Sequence, residues 1–391
     1  MEKVNRSIVH FDLDTFFVSV EVLKDSGLKG KPVAVGGEGD RGVVASCSYE
    51  ARKFGVRSGM SMKLARALCP QMITRRGDFD SYSRKSEEIT AIIREKVPVV
   101  EKASIDEHYL DLTGFDKFFG CYKYTMELRD RILKESGLPI SFGLSINKLV
   151  SKVATGVGKP LGKIQVETGM ERSFFSPLPV KKIPGVGQET SKQLAVMGIS
   201  RIKDVYQLNP ELLQATFGKN GLVLWNRANA VDDSPVVEYS EQKSMSHEET
   251  FGVDTTSMED LRTSILNMVT KLAFDLRDQG KLTTCVTVKI RYSDFETFTK
   301  QGRIKATAID DELAEKAWEL FTGLYERRML VRLIGVKFSY LVSAGYQIDL
   351  FSDSTTQIDL YNAMDTIRKR FGSDSILKAR ALQAPVRIFA R

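Results

Sequence analysis

The sequence predicts an α+β protein of several domains, and three observations lead there. The chain has 391 residues, more than one hydrophobic core usually holds. Strand-like and helix-like patterns alternate up to about residue 166 and again from about 243 to 341. Between these stretches, short helices punctuated by Pro and Gly take over.

The first strand reads Ile8-Val9-His10-Phe11-Asp12-Leu13. Alternation puts Val9, Phe11 and Leu13 on one face, and Ile8, His10 and Asp12 on the other. A helix is expected over 15–23, short strands over 32–35 and 43–46, and helical segments over 49–54 and 61–68. Gly55, Gly59 and Pro70 punctuate them. A long amphipathic helix follows over 78–97. Strands at 99–103 and 109–113 then flank a tight turn from Ser104 to His108. The pattern continues as helix 116–136, strand 140–146, helix 147–157 and strand 163–166. This order suits a split βαβ sheet with helices on one face and the other face open. Short helices run to about Ala230, and 232–246, polar and containing Pro235, reads as a linker. Residues 243–341 give strand, helix, two strands, helix, strand, a second small α+β unit. The stretch 345–391 is polar at first and ends in a basic helix over 361–371.

Composition narrows the chemistry. Hydrophobic residues make up 42% and charged residues 27%, the balance of an ordinary globular protein. No apolar run reaches the length of a membrane span, and residues 1–7 lead into a strand without a signal-peptide core. A cytoplasmic protein with no membrane partner is therefore expected. Cys47, Cys69, Cys121 and Cys285 are scattered, with neither disulfide nor metal-ligand spacing. With only three histidines, any metal chemistry falls to carboxylates, which favours magnesium or manganese. The net charge of +7 suits a polyanionic partner.

Three acids stand out by position. Asp12 ends the first strand, and Asp106 and Glu107 occupy the turn between two later strands. If those strands are neighbours, the carboxylates converge and raise one another's pKa unless a cation sits among them. Two metal ions held there would activate a hydroxyl, orient a triphosphate and stabilise departing pyrophosphate. On chemistry alone a second reading stays open: Asp12 caps a helix and Asp106-Glu107 forms a solvated turn.

The segments around these acids resemble a known family. Phe11-Asp12-Leu13-Asp14-Thr15-Phe16-Phe17, Tyr49-Glu50-Ala51-Arg52-Lys53-Phe54-Gly55, Ser104-Ile105-Asp106-Glu107-His108-Tyr109-Leu110-Asp111 and Asn147-Lys148 are similar to the motifs of Y-family (translesion) DNA polymerases. They stand in the same order and separation, and the resemblance runs from about residue 7 to 341. It implies that Asp12, Asp106 and Glu107 are catalytic and hold two magnesium ions, manganese substituting, with the backbone carbonyl of Leu13 completing a site. Tyr49 and Arg52, one helical turn apart, would clamp the triphosphate, and Lys159 in Gly158-Lys159-Pro160 would add a phosphate contact. Phe16 and Ser46 are further implied nucleotide contacts. Phe17 corresponds to the position where a flat ring excludes a 2′-hydroxyl. Ala45 and Ser46 are small where the family covers the nascent base pair, leaving room for a distorted template base. His108 departs from the small residue usual in the family and is expected beside the acids, where it would tune rates while leaving all three metal ligands in place.

The resemblance also names the parts that hold DNA. Lys182-Ile183-Pro184-Gly185-Val186-Gly187, followed by Lys192, is similar to a helix-hairpin-helix, whose glycines let backbone amides approach a phosphate. Phe217-Gly218-Lys219-Asn220-Gly221 is a weaker second candidate. Residues 240–344 hold 15 basic and 16 acidic side chains, a net of −1. Yet Lys289 and Arg291 alternate with Val288 and Ile290, Lys300, Arg303 and Lys305 cluster on the next strand, and the helices carry the acids. A basic sheet face of this kind tracks DNA backbone. Gln347-Ile348-Asp349-Leu350-Phe351 resembles the short peptide by which bacterial polymerases bind a sliding clamp, Leu350 and Phe351 entering an apolar pocket and Gln347 its rim. Gln357-Ile358-Asp359-Leu360-Tyr361 repeats the pattern and ranks second.

The expected architecture is thus a right-hand polymerase. A ferredoxin-like palm takes 1–18 and 77–166, small fingers 19–76, and a helical thumb 167–232. A linker at 233–243 leads to an α+β little finger at 244–344, and a tail with the clamp motif occupies 345–391. The expected partners are primer-template DNA, dNTPs and the sliding clamp, and the expected state is a monomer. Two rivals remain: a catalytically silent DNA-binding relative, and a two-metal phosphotransferase such as a nucleotide cyclase.

Overall fold

The computed structural model of the chain describes residues 6–117, 120–239, 241–343, 354–372 and 375–376. It divides into two compact units, 1–240 and 241–391.

The first unit opens with β1 (Ile8–Leu13), α1 (Phe16–Lys24), β2 (Val33–Gly36), β3 (Val44–Cys47), α2 (Tyr49–Lys53), α3 (Met62–Leu68) and β4 (Ile73–Arg75). Then come α4 (Phe79–Lys96), β5 (Val100–Lys102), β6 (Glu107–Asp111), α5 (Cys121–Ser136), β7 (Ile140–Ser145), α6 (Lys148–Gly158) and β8 (Lys163–Gln165). Five strands form one sheet in the order β5-β6-β1-β7-β8, antiparallel except for the last pair. The hydrophobic face of β1, Val9, Phe11 and Leu13, is buried in a core with Ile89, Ile93, Leu128 and Ile132 from α4 and α5. A small sheet, β3-β2-β4, packs its own core around Val44, Cys47, Ala51 and Met62. Strand β4 is only three residues long and pairs parallel to β2. Too short to alternate visibly, it escaped the sequence pattern.

Two sequence expectations change here. The helix expected from 116 begins at Cys121, because Gly120 takes a positive φ of 73° and the Asp116 carboxylate accepts from the Cys121 amide at 3.2 Å. The second sheet face is not left open either. Helix α6 lies on it, so close to β7 that a Cβ at Gly143 would stand 2.2 Å from the Ser151 carbonyl oxygen. Only glycine permits that approach. Asn147 caps α6, its side chain accepting from Val150 N at 2.9 Å.

Five short helices complete the unit: α7 (Glu171–Phe175), α8 (Gln188–Val196), α9 (Ile202–Tyr206), α10 (Pro210–Phe217) and α11 (Lys219–Ala228). They share a core with the buried side of α6, including Leu149, Val150, Phe175, Leu194 and Leu213. Part of the expected linker is laced onto this unit. Asp232 accepts from Leu149 N at 3.0 Å, Val237 N donates to Glu101 at 2.8 Å, and Asn147 donates to the Ala230 carbonyl at 2.9 Å.

The second unit contains β9 (Ser244–Thr255), α12 (Met258–Asp278), β10 (Lys281–Tyr292), β11 (Thr297–Thr307), α13 (Asp310–Thr322), β12 (Val331–Ser343) and α14 (Ser354–Phe371). Its sheet runs β11-β10-β12-β9, fully antiparallel, with α12 and α13 covering the apolar face. Strand β9 takes residues 244–246 out of the expected linker. Helix α14 starts earlier than expected and is anchored by buried charge. Arg277 of α12 donates to Asp365 at 2.6 Å and to Asp310 at 2.7 Å, Arg368 donates to Asp365 at 3.2 Å, and the Tyr361 hydroxyl donates to Asp311 at 2.8 Å. Tyr361 is 3% exposed, so the apolar anchor of the second clamp-like segment is spent inside the unit. No helix among the described residues is long and apolar enough to cross a membrane. All four cysteines are free and buried.

Candidate active site

The strand register carries two of the sequence-selected acids to one place. Asp12 of β1 pairs with Glu107 of β6, and Leu13 N donates to the Asp106 carbonyl at 3.1 Å. The turn before β6 is built by Ser104. Its hydroxyl donates to the Asp106 carboxylate at 2.6 Å and accepts from the amides of Asp106 and Glu107 at 3.3 and 3.1 Å. That fixes where the chain turns, and so which side chains of β6 point up.

Lysines stand among the carboxylates. Lys159 donates to Asp12, and Lys152 of α6 donates to Glu107 at 2.5 Å. Burial pushes Asp12 up to about 6, with Asp106 and Glu107 adding to the rise and Lys159 opposing it. Burial would raise Glu107 as well, but the neighbouring His10 and Lys152 outweigh it and hold its carboxyl down to about 2. Among the described residues no three acidic, histidine or cysteine side chains already close into a metal cage. The donor chemistry nonetheless fits a hard divalent cation: carboxylate oxygens, too negative to sit alone, with ammonium groups standing in on two of them.

Beneath the acids lies His10, fully buried, its Nδ1 2.9 Å from the Thr155 hydroxyl and its Nε2 3.8 Å from Glu107. Burial holds its pKa down, with the neighbouring Glu107 opposing. Asp14, 1% exposed, ties the surroundings together. It accepts from both sides: the Ser141 hydroxyl at 2.9 and 3.0 Å, Leu161 N at 2.8 Å and the Tyr49 hydroxyl at 3.3 Å. Thr15, in the left-handed region at φ 44°, makes the bend from β1 into α1. Lys152 and Thr155 lie in none of the motifs the sequence offers, and Asp14 and Ser104 stand in such motifs without a role of their own. The alternation of β1 had already put His10 on the Asp12 face, and that was the available signal.

His108 does not belong to this constellation. Alternation along β6 turns it away from Glu107, to the opposite face, where it is fully buried and its Nε2 lies 2.9 Å from the Thr90 hydroxyl of α4. Burial lowers its pKa to about 4.

The other site residues separate by exposure. Tyr49 and Arg52 share a face of α2, the guanidinium 4.9 Å from the ring centre. Phe17 is half-buried, its ring stacked on Tyr82 at 4.4 Å and 14°, with Phe79 edge-on at 5.6 Å. Phe16 is 3% exposed within the core, so any part it plays toward a nucleotide falls to its backbone. Of the small pair, Ala45 is exposed and Ser46 is buried.

In the candidate DNA-holding parts, Gly185 takes φ 89° in the hairpin and Gly187 caps α8. Arg227 of α11 reaches that hairpin and donates to the Pro184 carbonyl at 2.6 Å. Lys192 is exposed and paired with Glu189 at 2.8 Å. Gly221 of the weaker candidate is a packing glycine, since a Cβ would meet the Leu213 carbonyl oxygen at 2.0 Å. In the second unit, Lys289, Arg291 and Arg303 share the sheet face away from the helices, and Lys289 is bridged to Glu248 at 2.9 and 3.0 Å. Lys300 is not on that face. Its register partner is the buried Val288, and its Nζ donates to the Gly323 carbonyl at the end of α13, at 2.7 Å. Residues 300 and 303 differ in parity, and strand alternation separates them. Gln347, Leu350 and Phe351 lie outside the described residues.

Comparison with known proteins agrees along the chain. The impB/mucB/samB family matches residues 11–156 and its C-terminal domain residues 242–350, while a thumb domain described for DNA polymerase-iota matches 181–232. A DNA polymerase IV of Dehalococcoides mccartyi is 36% identical over 379 residues, 96% of this chain and 97% of that relative. A DNA polymerase IV of Treponema denticola is 34% identical over 380 residues, 96% of each chain. Among solved structures, a Y-family DNA polymerase chimera superposes with a TM-score of 0.76 at 26% identity, covering 86% of this chain and all 100% of its own.

Proposed function

The chain belongs to the impB/mucB/samB family of Y-family DNA polymerases, and from that premise we propose that it extends primers past damaged template bases by two-metal nucleotidyl transfer, without proofreading. It is a DNA-directed DNA polymerase with the right-hand α+β architecture expected from its sequence. Asp12, Asp106 and Glu107 would hold two magnesium ions, with the Leu13 carbonyl beside them and manganese able to replace magnesium. Bound there, the ions would polarise the attacking hydroxyl and neutralise the charge that develops on the phosphates.

The protein's own groups would do the rest. Tyr49 and Arg52 present a hydroxyl and a guanidinium from one helix face, and Asp14 fixes the Tyr49 oxygen. Lys159 would exchange Asp12 for a phosphate oxygen. Phe17 would lie under the sugar, and the exposed Ala45 would leave room over the base pair. Residues 1–18 and 77–166 would act as palm, 19–76 as fingers and 167–232 as thumb. The hairpin at Gly185 and Gly187, with Lys192, would grip DNA backbone, as would the face bearing Lys289, Arg291 and Arg303 in the little finger, 244–344. A monomer working in the cytoplasm completes the proposal.

The single observation that carries it is the pairing of Asp12 with Glu107, Asp106 adjacent, on a sheet face where lysines already balance negative charge. The test is primer extension with magnesium on a template bearing a bulky base adduct. Synthesis should continue past the adduct, and a mismatched primer end should stay intact. Efficient copying of the undamaged template with a complete stop at several different adducts would overturn the bypass reading.

We further propose that Gln347, Leu350 and Phe351 dock on a sliding clamp. Deleting 347–351 should abolish the stimulation of synthesis by added clamp and leave synthesis without clamp unchanged. Equal loss with and without clamp would count against it.

A further inference from the structure

Lys152 has no role in the site as so far assembled, yet its ammonium touches an acid on which the proposed chemistry depends. Its Nζ lies 2.5 Å from Glu107, and the two side chains are 35% and 22% exposed. The contact is set by the fold. Helix α6 is pressed onto β7 at Gly143, and the Thr155 hydroxyl, one turn beyond Lys152, donates to the His10 carbonyl at 3.0 Å. The lysine stem therefore leaves the helix at a fixed height over Glu107. Lys159, the other cation here, is already assigned to a phosphate.

We propose that Lys152 is a resident counter-ion that occupies Glu107 in the metal-free protein and must release it for divalent ions to bind. This rests on the two-metal reading above. The charge balance motivates it: Lys159 is shared by Asp12 and Asp14, so without Lys152 the carboxylate of Glu107, which already crowds Asp12, would lose the ammonium beside it. Partly exposed and long-stemmed, Lys152 can swing into solvent when a doubly charged ion competes for the same oxygen. Two opposite effects follow from one contact. The lysine stabilises the empty site, and it lowers the affinity of the site for metal.

The test is Mn2+ binding to the full-length protein without DNA or nucleotide, followed by electron paramagnetic resonance of the free ion, together with thermal unfolding with and without Mg2+. Lys152→Met keeps the stem and removes the charge. It should bind Mn2+ with a Kd lower by about tenfold, as expected for removing one nearby cation from a partly solvated site. It should also unfold at a lower temperature without metal and gain more from Mg2+ than the wild type does. Lys152→Arg keeps the charge and should restore wild-type Mn2+ affinity. A Kd for Lys152→Met within about twofold of wild type, with Asp106→Ala weakening Mn2+ binding as required, would overturn this inference alone. If Lys152→Met instead raises only the KM for dNTP, Lys152 is a phosphate contact and the inference falls. If wild-type protein binds no Mn2+ that Asp106→Ala removes, the two-metal reading falls and takes this one with it.

Discussion

Asp106→Ala is expected to slow nucleotide addition by about a thousandfold or more while leaving primer-template affinity within about threefold of wild type. Asp106 stands in the turn that Ser104 builds, and its backbone carbonyl, not its side chain, receives Leu13 N. Truncating the side chain therefore keeps the pairing of β1 with β6. The loss falls on the carboxylate's charge and on the hydrogen bond it accepts from the Ser104 hydroxyl. Asp106 also helps push Asp12 upward, so its removal relieves like-charge crowding, and the variant should unfold at no lower temperature than wild type. Single-turnover primer extension, a DNA-binding titration and a melting curve check the three parts. A variant that still extends primers at more than about a tenth of the wild-type rate would remove the acid from the chemistry.

For Phe17→Ala, the ratio of kcat/KM for deoxyribonucleotides over ribonucleotides is expected to collapse by about a hundredfold. The argument is rigidity. Phe17 cannot retreat from an added hydroxyl, because its other face rests on Tyr82, which is fully buried and donates to Glu21 at 2.8 Å, while Phe79 closes the edge. Replacing the ring with a methyl group opens the space a 2′-hydroxyl needs. The deoxyribonucleotide rate should change far less. Tyr82→Phe keeps the stack and should keep most of the discrimination. Single-nucleotide kinetics with matched dNTP and rNTP decide it, and an unchanged ratio would mean that the sugar is sensed elsewhere.

What was legible in the sequence follows from which interactions are local. The alternation of β1 separated the core face from the face bearing His10 and Asp12, and the order of elements pointed to the two larger sheets, while the small one, β3-β2-β4, holds a strand too short to alternate visibly. Register was harder. Reading 104–108 as a turn left His108 beside the acids, whereas β6 begins at Glu107 and alternation already applies there. Lys300 went astray for the same reason, grouped by nearness in sequence with residues of opposite parity. Lys152 and Asp14 acquire meaning only through partners 45 and 127 positions away, Glu107 and Ser141. No spacing rule within one element reveals such a pair. The matching of whole segments to a family compensated for this at Tyr49, Arg52 and Phe17, but it contained Asp14 without giving it a partner, and Lys152 lay in no matched motif.

The clasp of α14 bears on where this polypeptide can be shortened. Arg277 and Asp310 are almost wholly out of water, at 8% and 0% side-chain exposure, and Asp365 of α14 supplies part of the balancing negative charge. A fragment ending after β12 would leave the guanidinium with half its counter-charge and open the surface that Tyr361 covers. The natural C-terminal boundary of the folded second unit therefore lies beyond residue 371, and the sheet alone is an incomplete body.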